Sequence, residues 1–262
     1  MTIGGSAMKQ ILELKNIDFS YHTADAETLA LTKISFSIKE GEFIAIVGPS
    51  GCGKSTLLHI IAGLLSPENG SITFYGNLNP DHKINIGYML QKDELLEWRS
   101  IYSNVILGLE IQHKLNTYTK ANALQMLETY GLKQFAYARP SELSGGMRQR
   151  AALIRTLVLD PDILLLDEPF SALDYQTRLN VCDDIGRIIR SEKKTAILVT
   201  HDLSEAVSLA DRIIILTRRP ATIHQTVDIK FDPADLSPLE RRNAPEFKSY
   251  FNLIWKELNH NE

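Results

Sequence analysis

Disulfide chemistry is nearly absent from this chain. Its 262 residues include two cysteines, Cys52 and Cys182, too few for a cross-linked framework. Long apolar runs are missing too: the longest, such as residues 163–166 and 213–216, have the length of strands and fall far short of a membrane span. Positive charge is not in excess, because 28 Lys and Arg face 32 Asp and Glu for a net charge of −4. That balance gives no reason to expect nucleic acid as a partner. The first ten residues hold no apolar stretch of signal-peptide length, so a cytoplasmic protein is expected. There is no internal repeat and no low-complexity tract. What remains, 44% hydrophobic and 23% charged, suits a globular chain with a sizeable core, either one large α/β domain or two modest ones.

The most informative stretch is Gly48-Pro49-Ser50-Gly51-Cys52-Gly53-Lys54-Ser55-Thr56, a complete G-x-x-x-x-G-K-S phosphate-binding loop. Phe43-Ile44-Ala45-Ile46-Val47 before it reads as a buried strand, and Leu57-Leu58-His59-Ile60-Ile61-Ala62 after it reads as the first turns of a helix. The glycines let the backbone curl so that successive N–H groups face one anion, and the helix N-terminus adds partial positive charge. Lys54 is expected to reach the β- and γ-phosphates of a nucleoside triphosphate, and Ser55 to place its hydroxyl on Mg²⁺. Cys52 reads as an inert filler or as a thiol shielded by bound nucleotide.

A second constellation is Ile163-Leu164-Leu165-Leu166-Asp167-Glu168, an apolar strand that ends in two carboxylates. Ligands of open α/β sheets lie beyond the carboxyl ends of the strands, so both carboxylates should face the crevice that holds Lys54. Asp167 suits Mg²⁺, and Glu168 suits the role of a base that takes a proton from an attacking water.

The remaining pattern fills out the architecture. Residues 11–39 alternate in strand-like pieces, with Ile34, Phe36 and Ile38 on one face, and residues 70–76 form another strand, together predicting an antiparallel β layer. From about residue 101 to 159 the pattern is helical, with Leu124, Leu127 and Glu128 at helix spacing and a further helix after Ser144. Strands at 163–166, 195–200 and 212–216 alternate with a helix that holds Leu179, Cys182, Ile185, Ile188 and Ile189. That alternation predicts a mainly parallel sheet. The aromatic end around Phe247, Tyr250, Phe251 and Trp255 reads as a terminal helix.

Leu143-Ser144-Gly145-Gly146-Met147-Arg148-Gln149-Arg150 offers a hydroxyl and unobstructed N–H groups at a helix start. The stretch resembles the signature motif of the ATP-binding-cassette (ABC) ATPases. Met147 stands where that motif usually carries glutamine and removes a side-chain donor there. The other motifs follow in the family's order. Gln91, after Gly87-Tyr88-Met89-Leu90, resembles the glutamine-loop residue that senses Mg²⁺ and water. Ser171-Ala172-Leu173-Asp174 resembles the D-loop, His201 the switch histidine that holds the γ-phosphate, and Tyr21 the aromatic that stacks on adenine.

The resemblance implies a P-loop NTPase core with a mainly parallel sheet, an antiparallel β subdomain and an inserted α-helical subdomain at about 88–160. The ATPase domain would span 9–240, with a short tail at 241–262. It also implies ATP as substrate and a head-to-tail dimer in which the phosphate loop of one copy meets Ser144, Gly145 and Gly146 of the other.

The segment from Leu90 to Ser100, with Asn104-Val105 after it, Arg218-Arg219-Pro220 and the Ala244-Pro245-Glu246-Phe247 tail resemble the ATPase subunits of importers for nitrate, sulfonates, taurine or thiamine-precursor pyrimidines. In that group Trp98, with Leu95 and Leu96, would form an apolar cluster that receives a helix of a membrane permease. The subunit would lie on the inner face of the membrane, and an extracytoplasmic solute-binding protein would complete the system. An exporter's ATPase and a soluble, non-transport ABC ATPase share the catalytic motifs and remain alternatives.

Overall fold

The computed structural model describes residues 9–22, 26–75 and 84–259. Three strands, β1 (Gln10–His22), β2 (Glu27–Lys39) and β4 (Asn69–Phe74), form an antiparallel sheet in the order β2-β1-β4. A second sheet runs β5-β6-β7-β3-β8-β9, from β3 (Phe43–Val47), β5 (Ile86–Met89), β6 (Ile163–Asp167), β7 (Thr195–Val199), β8 (Arg212–Leu216) and β9 (Ile223–Asp228). Among the described residues, only its β8–β9 pair is antiparallel.

The helices are α1 (Lys54–Ile61), α2 (Ile101–Val105), α3 (Leu107–Ile111), α4 (Thr117–Thr129), α5 (Gly145–Leu157), α6 (Tyr175–Ser191), α7 (Leu203–Leu209), α8 (Pro238–Asn243) and α9 (Pro245–Asn259). The expected P-loop core, antiparallel β layer and helical insertion are all present. Among the described residues no helix is long and apolar enough to cross a membrane.

Strands β3, β6 and β7 are buried at every position because helices or the other sheet cover both of their faces. Phe43, Ala45 and Val47 of β3 point to one face with Leu164, Leu166 and Leu198, against α5, α6 and α7. Ile44 and Ile46 point the other way with Leu165, Ile197 and Ile214, against α1 and the β1-β2-β4 layer. This two-residue alternation within buried strands sandwiches the sheet and fixes where its carboxyl ends emerge.

Helix α5 joins two cores. Its Leu153 and Leu157 enter the main core, whereas Ala151, Ile154 and Val158 pack with Ile101, Val105 and Leu127 of the helical insertion. In α4, Leu127 is buried as expected, but Leu124 is exposed and Ala123 takes the inward position.

Several details depart from the sequence reading. Leu95, Leu96 and Trp98 do not form one cluster: Leu95 is buried in the helical core, while Trp98 is 72% exposed. Helix α7 and strand β9 were not anticipated. β9 is an edge strand whose outward residues are polar, so its sequence lacks a strand-like apolar run.

The expected boundary at 240–241 falls inside α8. Beyond it, Ile254 of α9 is fully buried in the main core. Arg241 is buried as well, with its guanidinium on the Ala210 carbonyl at 3.2 Å and over the Phe231 ring. Burial lowers its pKa to about 10. The expected strand at 70–76 is β4, and Gly76 lies outside the described residues, as do residues 1–8.

Candidate functional site

The phosphate loop connects β3 to α1 at the carboxyl edge of the parallel sheet. Gly53 has φ +118°, a left-handed value that a side chain disfavours, and a Cβ there would stand 2.9 Å from Leu31 Cδ2. The backbone conformation therefore asks for glycine here, and a Cβ would in addition push the Leu31 methyl aside. The Lys54 ammonium is buried and donates to the Gly48 carbonyl at 2.9 Å and the Pro49 carbonyl at 3.0 Å. These bonds satisfy the ammonium inside the loop and hold it at the loop's centre. Cys52 is 1% exposed, and burial raises its thiol pKa. The protein itself, rather than bound nucleotide, therefore shields this thiol, and the filler reading holds.

Strand β6 delivers the two carboxylates as expected. Asp167 Oδ1 accepts the Ser55 hydroxyl at 2.9 Å, and its Oδ2 accepts the Tyr88 hydroxyl at 3.2 Å. Burial, and next the charge of Asp167, push the Tyr88 pKa upward, so Tyr88 stays a donor. Glu168 leaves the strand with φ +45°, and its N–H donates to the Val199 carbonyl at 2.9 Å. A left-handed glutamate at a strand end aims its side chain out of the sheet, here toward the ends of β5 and β7. Its Oε2 accepts from His201 Nδ1 at 3.0 Å and from Gln91 Nε2 at 3.4 Å. Gln91 Nε2 also donates to Ser171 Oγ at 3.2 Å, and Ser171 Oγ donates to the Glu168 carbonyl at 3.0 Å.

Lys54, Ser55, Asp167, Glu168, Gln91 and His201 thus form one cluster drawn from three strand ends and one helix start. A cavity of about 210 Å³ opens between the phosphate loop and Glu168. A larger one, of about 820 Å³ and lined by Asn85, Tyr118 and Lys194, holds none of the expected site residues. Tyr21 borders the cluster: its hydroxyl shares a 2.8 Å hydrogen bond with Thr56 Oγ1, and its ring, 39% exposed, stands edge-on to Phe19.

Ser144, Gly145 and Gly146 lie elsewhere, at the start of α5. Ser144 Oγ caps the helix by accepting from the Met147 N–H at 3.3 Å. A Cβ on Gly146 would stand 2.7 Å from Val181 Cγ2, so glycine lets α5 approach α6 closely. Asp174 caps α6 through the Thr177 N–H at 3.1 Å, and this bonding lowers its pKa. Met147 packs against the helical core, a use of its side chain that needs no donor.

Sequence reasoning missed several residues that shape the site. Asp93 and Glu94, just after Gln91, are held by α5: Arg148 Nε donates to Asp93 Oδ2 at 3.0 Å, and the Arg155 guanidinium donates to the carbonyls of Asp93 and Glu94 at 2.6 and 2.7 Å. Behind His201, the buried Thr200 hydroxyl donates to Glu205 Oε2 at 2.6 Å. Arg219 Nη2 donates to the Gly51 carbonyl at 2.7 Å. No periodicity announces such pairings, because each joins residues far apart in sequence or links a strand end to the helix that follows it.

A parallel-sheet NTPase core with a β layer, a helical insertion and this loop–carboxylate–glutamine–histidine cluster defines an ATP-binding cassette. The profile of the ABC transporter family matches residues 31–171, and the chain belongs to that family as one of its ATP-hydrolysing subunits. It is 46% identical to the uncharacterized ABC transporter ATP-binding protein YtlC of Bacillus subtilis (strain 168), over 95% of each chain. It is 39% identical to the aliphatic sulfonates import ATP-binding protein SsuB of Bacillus licheniformis, over 88% of each. Among solved structures, the dimeric post-hydrolysis state of the cassette MJ0796 bound to ADP and Pi aligns with a TM-score of 0.70 at 30% identity, covering 84% of this chain and all of that one.

Proposed function

We propose that this chain energises the uptake of a small solute of the sulfonate, taurine, nitrate or thiamine-precursor type. It would do so as a head-to-tail pair of copies beneath a membrane permease, on the inner face of the cell membrane. An extracytoplasmic solute-binding protein delivers the solute. The observation that carries this reading is the likeness to a sulfonate-import ATPase along nearly the whole chain. The dimeric cassette that shares this fold supports the pairing.

Within each site Lys54 and the loop N–H groups bind the triphosphate, and Tyr21 takes the adenine. Ser144, Gly145 and Gly146 of the second copy close over the γ-phosphate, with Asp174 beside them. The oxygen donors Ser55 and Asp167, 2.9 Å apart, fit a hard cation, and Gln91, which bonds the adjacent Glu168, would join them. When bound, Mg²⁺ would neutralise charge on the phosphate oxygens. Glu168 Oε2 takes a proton from the attacking water. In the geometry described, that oxygen is engaged by His201 and Gln91. Releasing these two bonds would raise the basicity of the carboxylate and free both side chains for the nucleotide and the water. Hydrolysis then removes the anion shared by the two copies and loosens their interface.

The test is reconstitution with the permease in lipid vesicles, supplying ATP on the side of this subunit. Solute moving toward the ATP side marks an importer. Movement away from it would mark an exporter, and failure of any permease to retain the subunit would mark a soluble ATPase.

A further inference from the structure

Arg219 lies outside the nucleotide chemistry assigned so far, yet it reaches the phosphate loop from the turn after β8. Its guanidinium donates to the Gly51 carbonyl at 2.7 Å and lines the same cavity as Lys54 and Glu168. Arg218 and Arg219 also flank a neighbouring cavity of about 570 Å³ over Pro49, Ser50 and Cys52. The turn is firmly anchored. The Thr217 N–H donates to the Thr222 carbonyl at 3.0 Å, and the Thr222 N–H returns a 2.9 Å bond to Thr217 Oγ1. Ala221, fully buried, donates to the Ala30 carbonyl and accepts from the Thr32 N–H, both at 2.9 Å. The guanidinium therefore extends from a fixed base.

What that bond does follows from peptide geometry. The unit is planar and trans, so the Gly51 carbonyl and the Cys52 N–H point in opposite directions. A guanidinium that draws the carbonyl outward turns the N–H into the loop. The Cys52 N–H points there, at the Pro49 carbonyl, 3.3 Å away, and Lys54 Nζ bonds the same oxygen at 3.0 Å. One amide and one ammonium thus converge on a single acceptor, and a phosphate oxygen is the ligand that competes for both. Gly51, at φ +72°, adopts a conformation that glycine allows but does not by itself select. The Arg219 bond adds an anchor from outside the loop to those internal bonds.

We propose that Arg219 is a positioning residue of the nucleotide site, holding the 51–52 peptide so that the Cys52 N–H faces the triphosphate. This rests on the reading of the loop as the ATP site. The test compares ATP hydrolysis and ATP binding by the full chain with those of Arg219→Ala, Arg219→Lys and Arg218→Ala. Arg219→Ala should raise KM for ATP about three- to tenfold at nearly unchanged kcat, the scale of one exposed charge-assisted hydrogen bond. Arg219→Lys, which keeps the charge and one donor, should recover part of the loss. Arg218→Ala removes the same charge from the neighbouring cavity but not the Gly51 bond, and should change KM less than about twofold.

Equal rises in KM for the two alanine variants would replace positioning by bulk charge and overturn the proposal. An unchanged KM in Arg219→Ala would overturn it too. Should Arg219→Ala fail to fold, Arg219→Lys decides: a raised KM at constant kcat upholds the proposal, and a wild-type KM overturns it. A wild-type chain that binds no ATP would overturn the reading of the loop itself, and this shows before any variant is compared.

Discussion

Asp93 and Arg148 join the segment after Gln91 to the helix that begins at Ser144, through a 3.0 Å bond from Arg148 Nε to Asp93 Oδ2. The two side chains are 24% and 35% exposed, so solvent screens them only in part. Arg148 Nη1 also donates to the Leu143 carbonyl at 3.1 Å, which fixes the residue just before the Ser144 cap. One guanidinium therefore positions both the loop that follows Gln91 and the entry to α5.

A double-mutant cycle isolates the pair from that second bond. Asp93→Asn and Arg148→Met, singly and together, are expected to give a coupling of about 0.5–1 kcal/mol in denaturant unfolding. Arg148→Met should also cost more than Asp93→Asn, because it alone releases the Leu143 carbonyl. A coupling within error of zero would show that the two elements pack together without help from this ion pair.

Glu168 and Lys54 separate hydrolysis from binding. Glu168→Gln should keep ATP binding and lower turnover by a factor of about a hundred or more, since the proton acceptor alone is lost. Lys54→Ala should weaken binding itself. With ATP and Mg²⁺, the Glu168→Gln protein should become dimeric in light scattering, and adding Ser144→Arg should return it to monomer by placing bulk and charge against the shared phosphate. Normal turnover by Glu168→Gln would remove this residue from the role of base.

Legibility in the sequence divided along physical lines. The phosphate loop and Asp167-Glu168 were readable because each sits at the end of an apolar run, and parallel sheets gather such ends on one edge; His201 was readable only through the order of motifs it shares with the ABC family. The bond between Arg219 and Gly51 was not readable: 168 positions separate the two residues, and only the β3–β8 pairing brings them together. Leu95 and Trp98 failed for another reason. They lie in an irregular segment with neither a period of 2 nor one of 3.6, so nothing in the sequence says which one faces the core. Strand β9 and helix α7 are short and partly polar, and their place comes from the sheet edge and core they complete.

Glu205 makes stability depend on pH. Burial raises its carboxyl pKa from the ordinary 4.5 to about 7, and the Thr200 hydroxyl only partly opposes this. Below about pH 4.5 the group is protonated in both the folded and unfolded chains. Between there and about pH 7 the folded chain retains a proton that the unfolded chain has released, so its stability falls as pH rises. Above about 7 the deficit stays constant, at roughly 3 kcal/mol for a shift of this size. Glu205→Gln mimics the protonated form. Its melting temperature should therefore rise relative to wild type from pH 4.5 to 7 and hold that lead at higher pH. A difference that did not change with pH would mean that Glu205 is not the titrating group.

Trp98 and Leu95, three positions apart, should respond oppositely to truncation. Leu95→Ala opens a space in the helical core and should cost about 2–4 kcal/mol of stability, with loss of soluble protein as the cruder sign. Trp98→Ala, at a position 72% exposed, should change the stability of the isolated subunit by less than about 0.5 kcal/mol and leave ATP binding intact. If this indole docks the permease, its loss should weaken co-purification with the membrane subunit by a factor of about thirty, the scale of an aromatic interface anchor. Solute uptake should fall in parallel while ATP hydrolysis by the free subunit persists. Equal recovery of permease with both proteins would show that the exposed indole is not the contact, and would move the search to other exposed side chains of the helical insertion, such as Tyr137.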